Sequence, residues 1–234
     1  MKIRYDLHVH SGLSPCADDD MSPINILAMA SVKGLNMIAI SDHNAIKNVE
    51  VAIKLGELLG ITVVPAVELQ TSEDIHVLCL FETYEDLSNF YNTLTFQKVK
   101  NNESIFGEQI VYDEDGNHKG YEENLLLVAS DLPSYKALER VKEFNGLAIP
   151  AHIDRDEGGM LNVLGEVGSE FDVVELSPSA SSEIIKKYDS RKILRNSDAH
   201  ILEDIGKGGG EMNLRKNTVQ YLFSELRGDY GIKN

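Results

Sequence analysis

Lys2-Ile3-Arg4-Tyr5-Asp6-Leu7-His8-Val9-His10 opens the chain, and its reading decides how the remainder is understood. Lys2 to Tyr5 has the make-up of a short strand, and that strand ends in two imidazoles. His8 and His10 stand two residues apart, so on extended backbone both side chains point to one side. Two nitrogens offered together from a strand end suit a divalent transition metal. The same pair would also serve as ordinary polar strand residues, and the other histidines have to decide between these readings.

Outward from this stretch, the loop Ser11 to Met21 carries Asp18-Asp19-Asp20. Ser22-Pro23 then marks a helix start, with serine as the cap and proline in the first turn, and Gly34 is its stop. Leu35 to Ile40 is a continuous apolar strand of the kind buried in a parallel sheet, ending in Ser41-Asp42-His43-Asn44. A helix from about Ala45 to Leu59 stops at Gly60. Ile61 to Val67 is the next strand and ends in Glu68, and Ile75 to Phe81 is another, with His76 near its start. This alternation predicts a parallel α/β sheet.

From Glu82 to Asp131 the pattern is polar and irregular, with a turn at Asp113 to Asn117, an excursion over 101–124 and the segment Leu125–Ala129. Ser134 to Asn145 reads as a helix, Leu147 to Ala151 as a strand ending at His152, and Phe171 to Leu176 as a strand carrying Glu175. Lys192 to Asn196 is a short strand followed at once by Ser197-Asp198-Ala199-His200. Lys207-Gly208-Gly209-Gly210 reads as a mobile mouth or a plain turn, and Thr218 to Leu222 as a last strand or short helix. The expectation is one domain over 1–234, with an insertion or cap at roughly 82–146.

Composition narrows the class. Hydrophobic residues make up 42% and charged residues 26%, as in soluble enzymes. No apolar run approaches the ~18–20 residues needed to cross a bilayer. The start lacks the apolar core of a signal peptide. Cys16 and Cys79 are too few for a disulfide framework, so a cytoplasmic setting without a membrane partner is expected. A net charge of −16, from 22 basic and 38 acidic residues, disfavours long nucleic acid, which is bound through basic patches. It leaves room for a small phosphoester, a nucleotide or the end of a short oligonucleotide, because bound metals can supply the missing positive charge.

Six histidines lie at or beside predicted strand ends: His8, His10, His43, His76, His152 and His200. His118 falls in the polar excursion and reads as solvated. Asp6, Asp42, Glu68 and Asp198 accompany the six. In α/β folds reactive groups gather at the carboxyl ends of parallel strands, so these side chains are expected to meet in one cleft.

Asp6-Leu7-His8-Val9-His10-Ser11, Ser41-Asp42-His43, Ala151-His152 and Ser197-Asp198-Ala199-His200 resemble, in order, the four motifs of the polymerase-and-histidinol-phosphatase (PHP) superfamily. Pro65-Ala66-Val67-Glu68 resembles the segment that contributes its bridging glutamate. The resemblance spans 1–81 and 147–206. It implies a distorted (β/α)7 barrel, two to three divalent metals (manganese, iron or zinc) and phosphoester hydrolysis by a metal-activated hydroxide. Carried over by position, His8, His10, Glu68 and Asp198 are ligands of one metal, and Glu68 bridges to a second held by His76 and His152. A third takes His43, His200 and a group from the loop after His10. Counting back from the helix start favours Asp18 for that group, with Asp20 and Cys16 as alternatives. Many small members have Ser-Asp-Gly in this loop, whereas this chain reads Ser14-Pro15-Cys16-Ala17-Asp18.

Asp42 is expected to orient ligands, and Arg155, three residues past His152, to clamp a substrate phosphate with its fork of donors. His43 or His200 would protonate the leaving oxygen if the third metal were absent. The Gly-Arg-Pro-His segment usual in the insertion of one nucleotide-processing sub-group is missing, which weighs against nucleoside bisphosphates and RNA 5′ ends. Two other readings compete. Amidohydrolase-like C–N hydrolysis would use a similar first strand with a carboxylated lysine, and a regulatory module would hold a closed, structural metal cluster.

Overall fold

The computed structural model describes residues 1–228. β1 (Lys2–Val9), α1 (Pro23–Val32), β2 (Met37–Ile40) and α2 (Val49–Leu59) come first. Ser22 caps α1 by accepting a hydrogen bond from Asn25 N, with Pro23 in the first turn. The expected strand 61–67 divides at Pro65 into β3 (Thr62–Val63) and β4 (Ala66–Gln70), because proline brings no N–H to a ladder.

β5 (His76–Leu80) corrects the expectation of a continuous parallel sheet. It runs antiparallel to β4, pairing Glu68 with Leu78 and Gln70 with His76. The connection is a tight turn in which Asp74 N donates to Thr71 O at 2.9 Å, too short for the crossover that a parallel neighbour needs. The reversal matters for the site. The start of β5, not its end, lies at the end of β4, and His76 is carried there.

The polar stretch forms α3 (Tyr84–Tyr91), α4 (Glu103–Phe106), β6 (Ile110–Tyr112), β7 (His118–Tyr121) and α5 (Ser134–Glu143). The β6–β7 hairpin is fastened to the loop after β1. Ile110 N donates to Gly12 O at 2.7 Å and Tyr112 Oη to Asp19 O at 2.6 Å. Asn48 joins both sides, donating to Ser11 Oγ and Ile110 O and accepting from Tyr112 N. Leu125–Ala129 forms no strand. Asn44 Nδ2 instead donates to the carbonyls of Leu126 and Val128. His118 is exposed, beside Tyr112 and Tyr121.

The chain continues through β8 (Leu147–Pro150), α6 (Met160–Leu164), β9 (Val173–Leu176), α7 (Ser182–Lys187), β10 (Lys192–Arg195), β11 (Gly210–Asn213) and α8 (Val219–Arg227). The expected mouth at 207–210 leads into β11, which pairs antiparallel with β1. Gly210 is required there because the Tyr5 hydroxyl would sit 2.1 Å from any Cβ. The segment at Thr218 is a helix, capped by Thr218 itself.

The ladders give a 4-stranded sheet ordered β11-β1-β2-β3, a 3-stranded sheet β4-β5-β8, the parallel pair β9–β10 and the hairpin. Isolated bridges Val9–Ala199 and His43–Glu68 link them. Among the described residues these pairings define a mixed α/β fold of separate ladders. No helix among them is long and apolar enough to cross a membrane. The final six residues of the expected 1–234 domain lie outside the described part.

β1 changes phase near its end. Ile3, Tyr5 and Leu7 pack with Met37 and Ala39, whereas Val9 packs with Ile38 and Ile40, on the other face of β2. The pairing with β2 slips between Asp6 and Val9, as a bulge requires. His8 and His10, either side of Val9, therefore face away from the packing that Val9 makes.

Candidate metal centre

Glu68, fully buried on β4, is the hub. Its Oε1 lies 3.2 Å from His8 Nε2, 3.1 Å from His76 Nδ1 and 3.1 Å from His152 Nε2. Its Oε2 lies 2.8 Å from His43 Nδ1 and 3.4 Å from His10 Nε2. Asp198 makes a second focus, with Oδ1 3.0 Å from His10 Nε2 and 3.4 Å from His8 Nε2. Two of the residues that meet here have left-handed backbone: His152 at φ 26° and Asp198 at φ 53°. Such conformations cost about 1–3 kcal/mol each and mark positions held for function.

The surrounding bonds set which ring nitrogens are bare. Both oxygens of Glu175, on β9, lie at 3.0 and 3.1 Å from His8 Nδ1, so that nitrogen carries the proton and Nε2 presents a lone pair. Ser14 Oγ donates to Asp42 at 2.8 Å and accepts His43 N–H at 3.1 Å, leaving its second lone pair for His10 Nδ1–H at 2.9 Å. His10 Nε2 is then bare as well. The two bare nitrogens approach to 3.2 Å between two carboxylates. His43 Nδ1, Glu68 Oε2, His76 Nδ1 and Asp198 Oδ1 are buried without an aligned hydrogen bond, although His43 and Glu68 are only 2.8 Å apart. Donor atoms gathered this closely need positive charge between them, which a metal ion supplies and which, without one, a second proton on His8 supplies only in part.

Four donor groups fit one: His8–His10–Asp198, His8–Glu68–His152, His43–Glu68–His76 and His10–His43–His200. Mixed imidazole and carboxylate donors suit manganese, iron or zinc.

Charges agree with this geometry. Burial opposes ionisation of Glu68, but His76, His8 and His43 outweigh it and hold the carboxyl well below the usual range. Burial likewise opposes charge on Asp198, and His8 and His10 bring its carboxyl well down. Burial also opposes charge on His8, yet Glu175, Glu68 and Asp198 raise it well above its usual value. His10 is pushed well down by burial and by His200 and His43, and so stays neutral, as a ligand must.

The structure brings His8, His10, His43, Glu68, His76, His152, Asp198 and His200 together. It does not bring Asp18. That side chain is exposed and joins no donor group, because the backbone N–H of Asp18 is tied to His200 O at 2.9 Å in a loop that turns outward. Asp20 is exposed too, and of the three loop candidates Cys16 lines the cleft. His200 is less suited to donating a proton than expected. Burial lowers its pKa, and its Nδ1–H is committed to Asp198 O at 2.8 Å.

Asp42 is fully buried and does not face the cleft. It accepts from Ser11 N, Ser11 Oγ and Ser14 Oγ, and burial pushes its carboxyl up to about 6. Asp6 accepts from Ser197 N, Ser197 Oγ and Gly206 N and so ties β1 to the loop carrying Asp198 and His200. Arg155 stands on the cleft wall with Nη1 on Asp198 Oδ2.

Glu175 is the site residue that the sequence reading left without a role. A carboxylate inside the apolar run Val173-Val174-Glu175-Leu176 was the available signal, since a buried charge needs a partner.

A PHP domain model matches residues 6–189. A 5′-3′ exoribonuclease of Haemophilus influenzae is 32% identical over 83 residues, 34% of this chain and 29% of that protein. A crystal structure of endonuclease Q with a 27-mer duplex bearing an abasic lesion superposes with a TM-score of 0.74 at 20% identity, covering 99% of this chain and 58% of that one. A two-domain protein from Bacteroides vulgatus, described as containing a PHP-like metal-dependent phosphoesterase, gives 0.59 at 14% identity, covering 98% and 63%. This chain thus spans under two thirds of the length of each.

The duplex held by a protein of this fold overturns the expectation that long nucleic acid is excluded. Net charge sums the whole surface, whereas binding depends on the local field of a cleft whose metals carry positive charge. The match over 6–189, with the histidines and carboxylates of its motifs drawn round Glu68, places the chain in the PHP domain family of metal-dependent hydrolases.

Proposed function

We propose that the protein is a metal-dependent phosphoesterase that hydrolyses phosphoester bonds of nucleic acid. The observation that carries this reading is the convergence of bare imidazole and carboxylate lone pairs on Glu68 at the floor of an open cleft of about 410 Å³. His8, His10, Glu68 and Asp198 would hold one metal, Glu68 with His76 and His152 a second, and His43 with His200 would complete a third. Manganese, iron or zinc ions bound there would activate water at neutral pH and spread the charge of the phosphoryl group.

The chain's own residues do the rest. Arg155 lies where its guanidinium can pass from Asp198 to a phosphate oxygen entering the cleft. Glu175 and Ser14 keep the bare nitrogens of His8 and His10 aimed inward. Asp42 orients through Ser11 and Ser14 and does not touch substrate. The names of endonuclease Q and the exoribonuclease favour nucleic acid as the substrate class. C–N hydrolysis is disfavoured because the bridging place belongs to Glu68 and no lysine is among the described residues lining the cleft.

The same reading takes the fold as a distorted (β/α)7 barrel within a single domain, with 82–146 as its cap. One buried cluster supports it, drawing Leu7, Ala39, Ala66, Leu80, Ile149, Val173 and Leu194 from successive strands. A cytoplasmic setting agrees with two free cysteines.

The test is a cleavage screen with added manganese over single-stranded RNA, duplex DNA with and without an abasic site, mononucleotides and sugar phosphates. Oligonucleotides should be the better substrates, and turnover should vanish in a protein carrying both His8→Ala and Asp198→Ala. Turnover of sugar phosphates with every oligonucleotide left intact would sink the reading.

A further inference from the structure

β4 carries Glu68 and Gln70 two residues apart, so both side chains leave one face of the strand, and Gln70 also lines the cleft. Its partner in the ladder with β5 is His76, which sets the carboxamide beside one of the imidazoles around Glu68. The backbone of Gln70 is fully engaged. Its N–H donates to Asn44 Oδ1 at 2.9 Å, and its carbonyl accepts from Ser130 N at 2.9 Å and Ser130 Oγ at 2.8 Å.

The side chain is engaged at one end only. Nε2 donates to the Asp74 carboxylate. A carboxylate only accepts, so this contact decides which end of the amide is nitrogen. Oε1 is left buried without a donor. Among the neighbours lining the cleft, Glu68, Asp74, Asp156 and Glu157 are acceptors, Arg155 is engaged by Asp198, and the His76 ring, beside Gln70 in the ladder, turns its Nδ1 to Glu68 at 3.1 Å. A substrate lying in the cleft beside Gln70 can bring the donor that Oε1 lacks. Phosphate oxygens carry no proton at neutral pH, so the donor belongs to another part of the molecule.

We propose that Gln70 Oε1 accepts a hydrogen bond from the ribose 2′-hydroxyl beside the scissile phosphate, which makes Gln70 the residue that favours RNA over DNA. This rests on the nucleic-acid reading above. Residues i and i+2 of a strand are about 6.5 Å apart, a span that a nucleotide covers from its phosphate to its own sugar hydroxyl. The 2′-hydroxyl is the group by which a protein tells the two polymers apart at a single site.

The test compares a short oligoribonucleotide with the same sequence carrying 2′-fluoro, which keeps the sugar pucker but donates no hydrogen bond. Affinity for the metal-loaded protein is read by calorimetric titration and kcat/KM by cleavage. The wild-type protein should prefer the hydroxyl form by about 5- to 10-fold in both readouts. Gln70→Leu should bring the ratio close to one, and Gln70→Glu, which keeps an acceptor, should retain it. Melting curves show that the variants are folded, and Asp74→Asn, which lets the amide turn over, should lower the ratio without touching Gln70. A wild-type ratio within twofold overturns the inference, as does a ratio kept by Gln70→Leu. Binding and cleavage of both oligonucleotides alike defeat this inference alone, whereas absence of binding to either defeats the nucleic-acid reading with it.

Discussion

Single side chains at this site act through the proton positions that they impose on their neighbours. Glu175 keeps the proton of His8 on Nδ1, so Glu175→Ala should lower metal affinity by roughly 10- to 100-fold, and Glu175→Gln, which can still accept a hydrogen bond, by less. Competition with a chromophoric chelator measures both. His8 also predicts a pH dependence. Despite burial, the carboxylates of Glu175, Glu68 and Asp198 raise its pKa well above the usual 6.5, so the metal-free folded state holds a second proton, on Nε2, more tightly than the unfolded chain does. That stabilisation is fully present below about 6.5 and is lost as the pH rises through the folded value. Metal needs the nitrogen bare, so its affinity changes in the opposite sense and rises with pH. The gap in melting temperature between metal-loaded and metal-free protein should therefore widen upward from pH 6.5. A gap that narrows over that range would contradict the assignment of His8.

At the scale of elements, loops and short strands hold the ligands as much as the long strands do. His76 reaches the site because β5 is reversed, and the segment after His152 confines its ring. Gly158, at φ 66°, accepts the His76 N–H on its carbonyl at 2.9 Å, and a Cβ there would stand 2.5 Å from the ring. Gly158→Ala is expected to displace His76 and to lower the bound metal by about one equivalent, measured by elemental analysis, while His8, His10 and Asp198 keep theirs. Asn48 joins the loop after β1 to the β6–β7 hairpin with three hydrogen bonds. Asn48→Ala should cost about 1–3 kcal/mol of stability, measured by urea unfolding, because it leaves the Ile110 carbonyl and Tyr112 N–H buried and unpaired.

For the molecule as a whole, the site is a concentration of buried charge that the fold holds together at a cost. Removing metal leaves lone pairs facing one another, so chelation should lower the melting temperature. Reloading should restore about 4 kcal/mol at a metal concentration a thousand times the dissociation constant. Differential scanning calorimetry with and without chelator measures it, and an unchanged melting temperature would count against a metal centre at Glu68. Glu68→Gln should abolish most of the difference, since Glu68 faces His8, His10, His43, His76 and His152.

The chain by itself determined the chemistry. Histidines and carboxylates placed beside apolar strands at Asp6–His10, Asp42–His43, Glu68, His152 and Asp198–His200 can be read as donors, because burial of such groups is tolerated only where they meet a partner. Helix starts and stops at Ser22-Pro23 and Gly60 were legible for the same local reason. Tertiary structure alone decided the reversal of β5, the change of phase in β1, the outward turn that leaves Asp18 exposed and the pairing of Glu175 with His8. Each depends on contacts between residues far apart in sequence, and side-chain periodicity within one segment carries no information about which other segment it will meet.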